Sequence, residues 1–304
     1  MTKERIQGHI AIFGANVIFG IYIPMSKFLL AEYLSSEVLT LVRMWGAAIL
    51  FWLAGLFVKE ARPTFKDLSS LFVFSLFGIV LNQGLFIYGL GETSPIDASV
   101  IVTATPLMVM VIAAVFMRDP VTKQKLAGVF VGATGAVWLV LSAQNMVSAS
   151  ASVLGDAMIL SSGLATAIYY ALSKPLISRH SPIVVSKWMF LFSAVMLVPF
   201  TPSAMSAPDA FKGDFTPTIY FMMLYVVIGA TFITYLLIAF AIKRLRSTTL
   251  AMYNYVQPFI SSCAAVAIGQ DVFSWQKLCA AAFVFLGVYL VTTSPRPNIS
   301  DSVK

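Results

Sequence analysis

Apolar residues in this chain are gathered into blocks, most of them about 20 residues long, the length a helix needs to cross a ~30 Å hydrocarbon core. The blocks cover 9–30, 38–58, 68–90, 97–117, 126–142, 155–177, 184–200, 218–242, 247–268 and 275–292, with most of the charge in the links between them. The pattern predicts an all-α membrane protein of ten transmembrane helices. Lys3 and Arg5 precede the first block, and no small-residue cleavage site follows at the right distance. That block is therefore expected to remain as a span and not to be removed as a signal peptide.

The blocks repeat. Residues 155–177, GDAMILSSGLATAIYYALSKPLI, rewrite residues 8–30, GHIAIFGANVIFGIYIPMSKFLL, at a displacement of 147: Gly8 falls on Gly155, Ile12 on Ile159, Tyr22 on Tyr169, Ser26 and Lys27 on Ser173 and Lys174. A displacement of 152 brings Pro106 onto Pro258, Asp119 onto Asp271, Gln124-Lys125-Leu126 onto Gln276-Lys277-Leu278, and Gly135 onto Gly287. Gly78 and Gly229 match at 151. Self-similarity over this length defines the architecture: two copies of one five-helix unit, 8–143 and 155–293.

Composition agrees with a lipid environment. Charged residues make up 11% and apolar residues 59% of the chain, against roughly a quarter and ~45–50% for soluble domains. The net charge of +7 is scattered between blocks, so it forms no basic patch and no nucleic-acid partner is expected. It serves instead to orient the spans. Alternate links carry Lys3, Arg5; Lys59, Arg62, Lys66; Arg118, Lys123, Lys125; Arg179; Lys243, Arg244, Arg246; Arg296 and Lys304, whereas the opposite links carry Lys212 and Lys277 only. Both termini are therefore expected in the cytoplasm. With five spans per copy, the second copy enters the membrane from the opposite side, and the repeats are inverted. Inverted repeats are a recurrent plan of secondary transporters, which hold substrate near the midplane between the halves.

The stretch Phe19 to Lys27 (FGIYIPMSK), Arg43 in the second block, Ser94 to Asp119 (SPIDASVIVTATPLMVMVIAAVFMRD) and the Gly128, Gly132, Gly135 series resemble the drug/metabolite transporter superfamily, specifically bacterial proteins with two EamA-type domains. The resemblance covers both copies. It implies a multi-pass protein of the inner membrane that exports or exchanges small metabolites such as amino acids. The central cavity would lie between helices one, three, four, six, eight and nine.

Polar residues inside the blocks are the candidate site. Pro106 and Pro258 sit near the middle of the fourth and ninth blocks, where each removes a backbone hydrogen bond. Matched interruptions of this kind point to a transporter's binding site; a packing kink with no ligand is the alternative. Around them lie Thr103 and Thr105, and Tyr253, Asn254, Tyr255 and Gln257. Asn16, Asn82, Gln83, Thr231, Thr234 and Tyr235 are the polar positions of the first, third and eighth blocks, and Ser162, Thr166, Tyr169 and Ser173 form a stripe on the sixth beside Tyr170. Such groups turn away from lipid, either to join helices or to line a cavity. Lys27 and Lys174, together with Arg43, read as snorkelling side chains. The alternative reading of the lysines is that they hold an anionic substrate, which would make the protein an exchanger of organic anions or phosphorylated metabolites. The Gly128–Gly132–Gly135 face reads as a close helix contact, within a monomer or across a homodimer.

Other classes find little support. There is no HExxH, no phosphate-binding glycine loop and no intramembrane aspartate pair, so no enzyme is expected, and no cofactor or metal. His9 and His180 have no evident Ser or Cys partner. Cys263 and Cys279 have no disulfide or metal spacing. A membrane scaffold or sensor without transport is the alternative of another class. All thirteen acidic residues fall in links, tails or block ends, which predicts downhill transport without proton coupling, since a coupling group normally titrates inside the membrane.

Overall fold

The computed structural model describes residues 2–59, 63–92, 101–141, 153–208, 210–267 and 275–295. These residues are helical, with no β-strand among them; Leu34 and Phe211 form one isolated antiparallel bridge. The helices are α1 (Lys3–Glu32), α2 (Ser36–Gly55), α3 (Phe65–Ser75, Leu76–Leu81 and Asn82–Glu92 in continuation), α4 (Thr105–Met117), α5 (Lys123–Leu141), α6 (Val153–Leu172, then Lys174–Ile177), α7 (Pro182–Leu197, continuing to 206), α8 (Pro217–Arg244), α9 (Ser247–Met252, then Val256–Ala267) and α10 (Trp275–Thr293).

Helix starts are written locally. Ser35 accepts from the Val38 amide at the head of α2, and Ser181 from Val184 at the head of α7, where Pro182 supplies a first residue that needs no amide partner. Thr64 and Asp67 form a reciprocal capping box on α3. At the end of α4, Arg118 takes a left-handed conformation (φ 53°), and Asp119 beyond it pairs at 2.8 Å with the buried Lys125 of α5.

Packing joins the two copies of the repeat more than it separates them. α3 lies on α6 as α1 lies on α8; α4 on α6 as α1 on α9; α3 on α7 as α2 on α8. α2 with α7, α4 with α9 and α5 with α10 pair with their own counterparts. Each of these contacts is matched when the two copies are exchanged. The largest apolar cluster accordingly draws on both, from Ile12, Met44 and Phe51 to Tyr169, Phe190 and Ile242. Phe51 and Phe190 stack with ring centroids 5.2 Å apart.

The outer surface is apolar: Phe57, Phe65, Trp275 and Leu56 are among many large side chains left exposed, far more than a soluble monomer leaves in one surface. Five stretches, Ser36–Gly55, Phe65–Gly89, Val153–Leu172, Pro182–Ser206 and Pro217–Arg244, are long and apolar enough by length and composition to cross a membrane. Ten were expected from the blocks. Thr105–Met117 and Leu278–Thr293 are apolar but shorter, and α9 is divided at 253–255.

The glycine face of α5 is occupied within the chain. A Cβ on Gly287 of α10 would lie 2.5 Å from the Gly132 amide nitrogen and 2.6 Å from the Gly128 carbonyl oxygen, and one on Gly135 would lie 2.7 Å from the Ala280 carbonyl oxygen. Backbone meets backbone there, so no side chain can yield. Gly287→Ala is expected to destabilise the fold by about 1–3 kcal/mol, read as a lowered unfolding midpoint of the purified protein. An unchanged midpoint would mean α5 and α10 are not in such close contact.

Candidate functional site

A guanidinium lies at the centre. Arg43 of α2 is 1% exposed. Its Nε donates to Thr231 Oγ1 of α8 at 3.1 Å, and its Nη1 to Tyr22 Oη of α1 and to Gln83 Oε1 of α3, both at 2.9 Å. The Tyr22 ring lies beneath it at 4.7 Å. Reading Arg43 as a snorkelling side chain is thereby corrected: its head group points into the bundle and not to an interface. Burying a charge this deeply costs several kcal/mol even after relaxation. The neutral acceptors from three helices are what offset part of it.

The network spreads from Gln83, whose Nε2 donates to Tyr235 Oη at 2.9 Å and to Asn82 Oδ1 at 3.2 Å. Asn82 Nδ2 reaches Thr166 Oγ1, and Ser162 Oγ donates back to the Asn82 carbonyl at 2.8 Å. Tyr235 is held edge-on by Phe190 at 4.9 Å and by Phe19 at 6.5 Å. A second group lies along α1 and α9. Gln257 Nε2 donates to Asn16 Oδ1 at 2.7 Å, and Asn16 Nδ2 to the Ile12 carbonyl. Tyr253 Oη meets His9 Nδ1 at 3.0 Å, and Tyr255 Oη donates to the Thr103 carbonyl at 2.7 Å.

Most of these bonds join the first copy of the repeat to the second. Asn82 meets Ser162 and Thr166, Gln83 meets Tyr235, Arg43 meets Thr231, Asn16 meets Gln257, and Thr103 meets Tyr255. The polar residues thus lie on the seam between the copies.

Irregular backbone lies beside them. α3 and α8 each pass through a π-helical stretch, Leu76–Leu81 and Tyr225–Ile233, which include the matched Gly78 and Gly229. Such widened turns are frequent at functional sites. In α8 the Thr231 and Thr234 hydroxyls donate to the carbonyls five residues back, Val226 and Gly229. In α3 the missing side chain of Gly78 makes room for the Tyr169 ring, which a Cβ would meet at 2.7 Å. Pro106 stands at the first turn of α4, just after a turn at 103–104, and Pro258 follows the 3₁₀ turn Tyr253–Tyr255 of α9. Both proline regions are interrupted helix, at corresponding places.

Other predicted residues fall outside the central network. Tyr169 and Tyr170 are buried with centroids 5.8 Å apart. Asn254 is half-buried. Lys174 gives its ammonium to the Leu245 carbonyl at the α8–α9 corner. Lys27 lies in α1, and its side chain is outside the described residues. Near Lys174's end of the bundle, Arg179 and His180 converge on Asp67 at 3.4 and 3.2 Å. Sequence reasoning left Arg43 and Tyr22 out of the site. The available signal was a lone charge inside an apolar block, which is expensive in a membrane and therefore suggestive of function.

An apolar-faced helical bundle with a buried polar seam and matched helix interruptions defines a multi-pass membrane protein of the transporter class. The sequence profile of the EamA-like transporter family matches residues 6–141 and again 153–293, and the chain belongs to that family. An uncharacterized transporter of Archaeoglobus fulgidus is 24% identical over 260 residues, spanning 86% of this chain and 90% of the relative. The Bacillus subtilis uncharacterized transporter YyaM is 22% identical over 291 residues, 94% of this chain and 93% of the relative. A probable terminal-alkyne amino-acid exporter of Streptantibioticus cattleyicolor is 26% identical over 76% of each chain. One solved crystal structure shares the fold, with a TM-score of 0.78 at 17% identity over 95% of this chain and 98% of the other.

Gln83→Leu would remove the acceptor of one Arg43 donor and the donor to Tyr235 together. A buried charged donor left unsatisfied costs about 1–3 kcal/mol, so this variant should unfold at a clearly lower temperature than Asn254→Leu, measured side by side in detergent. Equal midpoints would show that the Gln83 bonds contribute nothing to the fold.

Proposed function

We propose that this protein carries small organic metabolites, amino acids among them, across the cytoplasmic membrane by alternating access, as an exporter or facilitator. The observation that carries the reading is the polar seam: Arg43 and Tyr235 are buried, and Asn82, Gln83 and Thr166 half-buried, where the two copies meet, next to interrupted helices. That is where a transporter built from repeats binds its substrate. The amino-acid class is supported by the exporter named among its relatives.

In this reading the chain crosses the bilayer ten times, as inverted five-helix units 8–143 and 155–293, with both termini in the cytoplasm. The distribution of Lys and Arg between alternate links supports that orientation. Asn16, Asn82, Gln83, Thr103, Tyr169, Tyr170, Tyr235, Tyr253, Asn254 and Gln257 line the path, with Lys27 and Lys174 at its two ends. Pro106 and Pro258 are the points where α4 and α9 bend. An exchanger that holds an anion on Lys174 is less well supported, because its ammonium already serves the Leu245 carbonyl.

Two measurements test the proposal. In proteoliposomes loaded with a panel of amino acids and organic acids, Asn82→Ala, Tyr169→Ala and Gln257→Ala should each lower the flux of the transported solute at least tenfold, with membrane levels near normal. Full flux in all three would move the path elsewhere. Imposing a pH gradient at zero membrane potential should leave the final solute distribution at equilibrium, because the acidic residues lie in links, tails or block ends. Accumulation that needs the gradient and collapses with an uncoupler would reveal a proton-coupling group.

A further inference from the structure

Arginine offers five N–H donors, and Arg43 uses three of them, one on Nε and two on Nη1. Its Nη2 is buried and has no hydrogen-bond partner among the described residues. The groups that do reach Arg43 are two hydroxyls and an amide oxygen, all neutral. Among the described residues, the ion pairs join Lys125 to Asp119 and Arg179 and His180 to Asp67, and none involves Arg43. The guanidinium is therefore oriented by neutral groups, with no countercharge on it among the described residues. A buried charge with its plane fixed and one donor nitrogen unused is an incomplete ion pair.

We infer that the missing partner is a carboxylate of the transported molecule, bound on Nη2 of Arg43. This rests on the transporter reading above and names the group its site would recognise. Thr231, Tyr22 and Gln83 hold the guanidinium from α8, α1 and α3, so its plane is fixed before a ligand arrives. A single carboxylate brings the site from +1 to neutral, which a low-dielectric interior favours, whereas a phosphate dianion would leave a net negative charge in the same place. The acceptors that hold the guanidinium come from both copies of the repeat. Binding would consequently be felt by both sides of the seam, as a substrate that drives alternating access requires.

The test needs no knowledge of the whole substrate and no transport. Thermal unfolding of the full chain in detergent is followed in sodium chloride, sodium propionate, propylammonium chloride and sodium phosphate at matched pH and ionic strength, and in chloride with added L-alanine. Propionate or alanine should raise the wild-type midpoint by about 2–4 °C over chloride, and propylammonium and phosphate should not. The alanine arm tells an amino acid from a simple organic acid. Arg43→Gln, which keeps hydrogen-bonding capacity but not the charge, should lose the increment. Should that variant not fold, Arg43→Lys, which keeps the charge and lacks Nη2, should lose most of it. No increment in the wild type from either carboxylate, a larger one from phosphate, or an increment retained in the variants would overturn the assignment. A carboxylate increment in a protein that moves no solute in liposomes would uphold the site and reject the transporter reading; flux without the increment would do the reverse.

Discussion

The structure depends on keeping one guanidinium inside an apolar bundle. Arg43 cannot sit there unless hydrogen-bond acceptors come to it, and they come from α1, α3 and α8. Those three helices must therefore approach α2 at the same depth, which fixes the seam between the two copies of the repeat. Gln83 passes the constraint outward to Tyr235 and Asn82, and Asn82 passes it to α6. Hydrophobic packing alone would not set this register, since lipid tails are as apolar as the side chains that face them.

Close approach of backbone does the complementary work. Gly287 lies against Gly128 and Gly132, and Gly78 accommodates the Tyr169 ring. The first locks α5 to α10; the second lets α6 sit on the π-helical turn of α3. The irregular backbone lies in or near these contacts: the turns at Leu76–Leu81 and Tyr225–Ile233 and the interruptions before Pro106 and Pro258. The widened and broken turns of the inner helices thus lie where the polar groups are. That is the arrangement alternating access calls for.

Much of this was legible in the residues. The apolar blocks anticipated the helices, and the matched Pro106 and Pro258 anticipated the interruptions. Asn82, Gln83, Tyr235, Asn16 and Gln257 were identifiable as polar groups that lipid would reject. Their partners were not, because which polar side chain meets which is decided by helix rotation and not by spacing along one helix. Arg43 looked like a snorkelling charge for the same reason: its depth follows from tertiary packing around Tyr22, Gln83 and Thr231. The π-helical turns left only Gly78 and Gly229 as a trace. The Gly128–Gly132–Gly135 face was recognised as a contact, but its partner α10 follows from the fold, with Gly287 as the one matching hint.

The central claim is that the polar seam opens alternately to the two sides of the membrane. Thr166 lies near the middle of α6 and contacts Asn82 across the seam, so it reports on that opening. With the exposed Cys263 and Cys279 replaced by serine, Thr166→Cys in sealed vesicles of known orientation is treated with a membrane-impermeant thiol reagent from one side at a time. The account predicts complete labelling from either side alone, as each molecule visits both openings. Labelling from one side only, however long the reaction, would contradict it.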